Sequence, residues 1–104
     1  MKKLLISTLA LAASAAFAYP DKPITVVVPF PAGGPTDKVA RDLAVAMGVA
    51  LKQTVIVENV GGAGGTLGAT KVAKASPDGY TVLLHHIGMA TSPGLYRNLP
   101  FKTL

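Results

Sequence analysis

Two glycine-rich segments hold the residue types best suited to chemistry in this chain. They are Phe30-Pro-Ala-Gly-Gly-Pro-Thr-Asp37 and Gly61-Gly-Ala-Gly-Gly-Thr66. Glycine has no Cβ, so successive backbone N–H groups can converge on one anion. Each segment follows an apolar, β-branched run and precedes a helical pattern. A helix start presents unpaired N–H groups and roughly half a positive charge, which suits a phosphate or a carboxylate. One such contact contributes about 0.3–1 kcal/mol, rising to ~2 kcal/mol when partly buried. Micromolar binding needs about 8 kcal/mol. Two helix starts therefore orient an anion, and apolar closure by a further surface has to supply the remaining affinity.

Nucleotide chemistry fits these loops poorly. The dinucleotide fingerprint is Gly-x-Gly-x-x-Gly. Here Gly62-Ala63-Gly64 leads to Leu67 at the third position, and the next glycine falls one place late at Gly68. No Gly-Lys-Ser/Thr follows either loop, so a Walker A site is absent from the sequence. The rival reading that survives is a fragment of an α/β nucleotide- or phosphate-binding enzyme. It lacks a catalytic constellation: no carboxylate pair is spaced for acid–base work, and no Ser-His-Asp arrangement can be argued.

His85-His86 invites a metal reading. Adjacent strand residues point to opposite faces, so the pair does not chelate one ion from a regular strand. The expectation is that one ring meets a ligand and the other packs against a helix. Asp37 has two readings, a helix cap or a partner for a donor group of the ligand. Arg41, one turn further, reads as a surface residue. No metal and no cofactor is expected.

The positioning elements follow from hydrophobic pattern. Ile24–Phe30 is a continuous apolar run, as in a strand buried on both faces. Pro29 ends it, where a missing N–H matters least. A helix is expected from Asp37 to about Lys52, capped by Thr36 or Asp37, or with Pro35 in its first turn. Its inward stripe reads as Val39, Leu43, Met47 and Leu51. Gly48 suggests a close helix–sheet contact. A second strand is expected over Thr54–Val60 and a second helix over Thr66–Ala75, with Ala69, Val72 and Ala73 inward. Ser76-Pro-Asp-Gly79 reads as a turn. A third strand runs from Tyr80 to His85 or His86, and Gly88–Gly94 reads as a loop before a short helical turn at Pro93–Asn98. The order is a βαβαβ unit of the α/β class, with a parallel sheet and right-handed crossovers.

The amino terminus is a leader by pattern. Lys2 and Lys3 precede the apolar stretch Leu4–Ala13, and Ala16-Phe-Ala18 is a small-x-small cleavage site. The stretch is short for a bilayer, which needs roughly 20 apolar residues. Residues 1–18 therefore read as a cleaved signal peptide and the mature chain as exported. From Tyr19 onward eight Lys and Arg face five acids, a net +3. These charges are scattered, so no basic stripe for nucleic acid is present. The chain has no cysteine, which excludes a disulfide scaffold. A cysteine-free exported domain of this length should rest on a larger core, which suggests that more chain belongs to it.

Four motifs occur in order: Pro23-Ile-Thr-Val-Val-Val-Pro-Phe-Pro-Ala-Gly-Gly-Pro-Thr-Asp37, Val57-Glu-Asn-Val-Gly-Gly-Ala-Gly-Gly65, Ser76-Pro-Asp-Gly-Tyr-Thr81 and Ser92-Pro-Gly-Leu-Tyr-Arg-Asn-Leu-Pro-Phe101. Together they resemble the Bug family of periplasmic receptors, the solute-binding component of tripartite tricarboxylate transporters. The resemblance implies a non-enzymatic, two-lobed binding protein of the type II periplasmic fold. It also implies a small carboxylate or related solute as ligand and the transporter's membrane subunits as partners. On that basis residues 19–104 are a partial first lobe of a protein that is monomeric at full length. The ligand contacts implied are Phe30, Pro31, Ala32, Gly33, Gly34, Thr36 and Asp37 in the first loop. Gly62, Ala63, Gly64 and Gly65 of the second loop follow, with His86 and Gly88 beyond the third strand. The His85–Met89 region varies within the family, so the identity of the solute does not carry over.

Overall fold

The computed structural model describes residues 18–103. The expected leader therefore lies, apart from Ala18, outside the described residues. Three strands form one parallel sheet: β1 (Ile24–Val28), β2 (Val55–Asn59) and β3 (Thr81–Leu83), in the order β2-β1-β3. Helix α1 (Pro35–Leu51) joins β1 to β2, and α2 (Thr66–Ala73) joins β2 to β3. A 3-10 turn, Ala63–Gly65, precedes α2, and α3 (Gly88–Leu95) follows β3. The βαβαβ unit is thus as expected, with β1 in the middle.

Burial explains why β1 has no polar–apolar alternation. Ile24, Val26, Val27, Val28 and Pro29 are all buried. Val26 and Val28 form a cluster with Ala40 of α1, with Phe30, Val55, Val57 and Leu84 around it. On α2, Gly68 lies against Pro29. A Cβ at Gly68 would stand 2.6 Å from Pro29 Cβ and 2.9 Å from the Val60 carbonyl oxygen. The glycine that falls one place late for a nucleotide fingerprint therefore serves close helix–strand packing.

Each strand is shorter than expected by one residue or more. Pro29 has no N–H with which to continue β1. Pairing nevertheless extends one step past the ladder: Val60 N–H donates to Val28 O at 2.8 Å, and Leu84 N–H to Val27 O at 3.0 Å. In register, Val28 stands opposite Asn59 and Val27 opposite Leu83. The carboxyl ends of all three strands consequently form one rim.

The inward face of α1 differs from the expected stripe. Asp37, Ala40 and Ala44 are its buried residues. Val39 is 58% exposed, Leu43 and Leu51 are also exposed, and Met47 is half-buried. The helix is apolar on much of its circumference, so spacing by four left the face uncertain by one residue. Small side chains at Ala40 and Ala44 bring the α1 backbone onto the sheet. Gly48 does not touch the sheet; it sits at the helix end, where its carbonyl accepts from Lys52 and Gln53 N–H. On α2 the buried residues are Thr66, Gly68 and Ala69, while Val72 is half-buried and Ala73 exposed. That helix stops at Ala73, two residues before the expected end.

The expected loop at Gly88–Gly94 is a helix. Ser92 Oγ donates to Gly88 O at 2.6 Å, Thr91 Oγ1 donates to the same carbonyl at 3.2 Å, and Tyr96 N–H closes the last turn on Ser92 O. Pro93 forfeits one main-chain bond within the helix, and these hydroxyl bonds offset part of that loss. The Ser76–Gly79 turn is present: Asp78 N–H donates to Ser76 O, and Asp78 Oδ1 accepts from Tyr80 N–H. Among the described residues, no helix is long and apolar enough to cross a membrane.

Candidate functional site

The first glycine loop leaves β1 at the rim and enters α1 through Pro35 at its first turn. The residue flanking the helix is Gly34, and no side chain caps the helix. The cap expected from Thr36 or Asp37 is therefore absent. The first-turn amides of Thr36 and Asp37 keep no side-chain partner, which preserves their capacity for an anion.

Asp37 has a different task. It is 3% exposed, and its carboxylate is fully engaged. Oδ2 accepts from Gly33 N–H at 2.8 Å and from Arg41 Nε at 2.9 Å. Oδ1 accepts from Asn59 Nδ2 at 2.9 Å. These donors, Arg41 foremost, then Gly33 and Asn59, hold the Asp37 carboxyl at about 2, below its ordinary 3.8. Gly33 reaches Asp37 with φ of 88°, a left-handed conformation that suits glycine. Arg41, expected at the surface, has an exposed side chain but also grips Asn59 Oδ1 through Nη2 at 3.2 Å.

A pocket of about 540 Å³ opens beside this loop, lined by Phe30, Pro31, Gly34, Pro35, Thr36 and His86. Phe30 and His86 stack with ring centroids 4.4 Å apart, and His85 meets Phe30 edge-on at 5.3 Å. Both histidine rings thus meet Phe30, His86 on its face and His85 at an edge. The reason is that β3 ends at Leu83, so strand alternation no longer governs them. Gly88 N–H donates to His86 Nδ1 at 2.8 Å. Nδ1 therefore holds a lone pair, and the neutral ring carries its hydrogen on Nε2. His85 Nδ1 accepts from His86 N–H at 2.8 Å, and its Nε2 is buried beside Gly65 without a partner.

The second glycine loop is placed differently. Gly65 is buried against His85 and Phe30. Gly62, Ala63 and Gly64 lie outside the pocket lining and are exposed; Tyr96, just past α3, donates from Oη to Ala63 O at 3.1 Å. Of the residues named from sequence, the structure gathers Phe30, Pro31, Gly34, Thr36 and His86 around one cavity. Ala32 is exposed at the loop apex. Gly33 and Asp37 hold the loop from beneath, and Gly88 holds His86. Asn59 and Tyr96 escaped the sequence reading; the Glu-Asn pair at the end of β2 was the available signal for the first. No group of three or more His, Cys, Asp or Glu suited to a metal occurs among the described residues.

A parallel α/β unit with glycine loops at the carboxyl rim is the kind of fold that binds small ligands at strand ends. Known proteins agree. The structure resembles that of the periplasmic binding protein BugD, with 58% identity and a TM-score of 0.80 over 82% of this chain and 28% of that one. It resembles MatC from Rhodopseudomonas palustris with bound malate, with 44% identity and a TM-score of 0.78 over 82% of this chain and 29% of that one. A curated relative, the UPF0065 protein in the TAR-I ttuE-ttuC' intergenic region of Agrobacterium vitis, is 56% identical over 92 residues, 88% of this chain and 27% of that protein. The model of the tripartite tricarboxylate transporter family receptor matches residues 39–104. The chain belongs to that family. It spans less than a third of the length of each of these three proteins.

Proposed function

We propose that this chain forms one wall of the cleft of a periplasmic solute receptor. The receptor captures a small carboxylate and presents it to the membrane subunits of a tripartite tricarboxylate transporter. Residues 19–104 are then part of the first of two lobes, and the second lobe supplies the closure that two helix starts lack. The receptor binds and releases its solute unchanged; it is not an enzyme.

The observation that carries this reading is the rim of α1, where uncapped first-turn amides adjoin the Phe30–His86 pocket. Its neighbour Asp37 is a carboxylate, which would repel an anion if left bare. Three donors occupy it instead, so the loop can face a second carboxylate. The malate held by MatC supports the same ligand class. In this site Phe30, Pro31, Ala32, Gly34, Thr36 and His86 face the solute. Gly33, Asp37 and Gly88 shape the loops behind them, and Gly62–Gly65 close the flank.

A thermal-shift screen of the intact protein tests the proposal. The panel contains di- and tricarboxylates, amino acids and nicotinate-like acids, with NAD and ATP as counter-ligands. Stabilisation by one or more carboxylates is expected. Stabilisation by NAD or ATP and by no carboxylate would overturn the receptor reading in favour of a nucleotide site.

A further inference from the structure

We propose that Asn59 is the positioning residue of the first glycine loop, fixing the amides that receive the solute without touching the solute itself. The inference rests on the receptor reading above. Asn59 is the last residue of β2 and stands opposite Val28, the last residue of β1. Its side chain therefore lies at the rim where the loop departs. Nδ2 donates twice: to Phe30 O at 3.1 Å and to Asp37 Oδ1 at 2.9 Å. Oδ1 accepts from Arg41 Nη2 at 3.2 Å.

The two Nδ2 bonds bracket the loop. Phe30 is its first residue, and Asp37 in turn holds Gly33 N–H. One side chain from a different strand thus ties both the entry of the loop and its turn to the sheet. The network also fixes the amide orientation, because a flipped amide would set an oxygen against two acceptors and an NH2 group against Arg41. An aspartate has the same shape but no hydrogen to donate at neutral pH. A leucine fills the space and satisfies none of the three partners. Only an amide meets all of them at this reach.

The loop so held has few donors to spare. Pro31 and Pro35 carry no N–H, and the Gly33 N–H is spent on Asp37. Affinity then depends on how the amides of Ala32, Gly34 and Thr36 are aimed, and small tilts of the loop are costly to a multidentate anion site.

The test uses the intact protein, with malate as probe, in three forms: wild type, Asn59→Ala and Asn59→Asp. Malate affinity is measured by calorimetry, the Gly33 amide proton by NMR, and the fold by circular dichroism. With the two bracketing bonds gone, Asn59→Ala should lose malate affinity by about tenfold or more. Its Gly33 amide should move while the circular dichroism spectrum persists. Asn59→Asp, which keeps the shape if the alanine variant fails to fold, should bind weakly at neutral pH. Equal malate affinity in wild type and both variants, with the Gly33 amide unmoved, would overturn this proposal alone. A wild type that binds no carboxylate of the panel above would overturn the receptor reading, and this proposal with it.

Discussion

Asn59 and Asp37, 22 residues apart in sequence, meet at 2.9 Å across the carboxyl rim of the sheet. The contact joins β2 to the first turn of α1 and makes Asp37 a hub for three donors. Removing the hub takes the partner from Gly33 N–H and one bond each from Asn59 and Arg41. Asp37→Ala should therefore lower the melting temperature clearly more than Asp42→Ala, which removes an exposed acid from the same helix. Hydrogen exchange at the Gly33 amide should accelerate in the first variant and not in the second.

The same hub sets an acid limit on stability. The Asp37 carboxyl is held at about 2 against an ordinary 3.8. The unfolded chain therefore takes up this proton first as pH falls. The stability that Asp37 contributes is complete above 3.8 and is lost as pH drops from there through about 2. Chemical unfolding followed across that range should show a loss in the wild type that is smaller in Asp37→Ala.

Much of this arrangement is legible in the residues themselves. The β-branched runs ending in Pro and Gly mark the strands and the rim, and in β1 burial on both faces leaves no room for alternation. The face of α1 is not legible, since Val39 and Ala40 both continue apolar rows and only packing against β1 selects the smaller. Asp37 reads equally well as a cap or as a ligand contact; its true partners come from β2 and from the next helical turn, which spacing does not reveal. The α3 helix is hidden by Gly88, Pro93 and Gly94, whose breaking tendency is outweighed by hydroxyl bonds returning to Gly88 O.

Gly68 offers a test of the helix–strand contact that supports the second loop. A Cβ there would lie 2.6 Å from Pro29 Cβ and 2.8 Å from Pro29 Cα. Backbone cannot yield as a flexible side chain does, so Gly68→Ala should destabilise by about 1–3 kcal/mol despite alanine's better helix propensity. Urea unfolding would measure it; a neutral or stabilising result would mean that α2 can lift away from β1.

Tyr96 should act as a latch on the second loop. Tyr96→Phe keeps the ring over Gly64 and deletes the bond to Ala63 O. The expected loss is about 0.5–1 kcal/mol, at the low end because the residue is partly exposed. Amide exchange should rise at Gly64 and Gly65 and stay unchanged in β1.

The most direct test of the receptor account is an amide-resolved NMR titration of the intact protein with malate and longer dicarboxylates. The account predicts saturable shifts concentrated at Ala32, Gly34 and Thr36 and at the His86 ring, with smaller changes at Gly33, which stays bonded to Asp37. Saturable carboxylate binding that leaves the first glycine loop and His86 unmoved would contradict it.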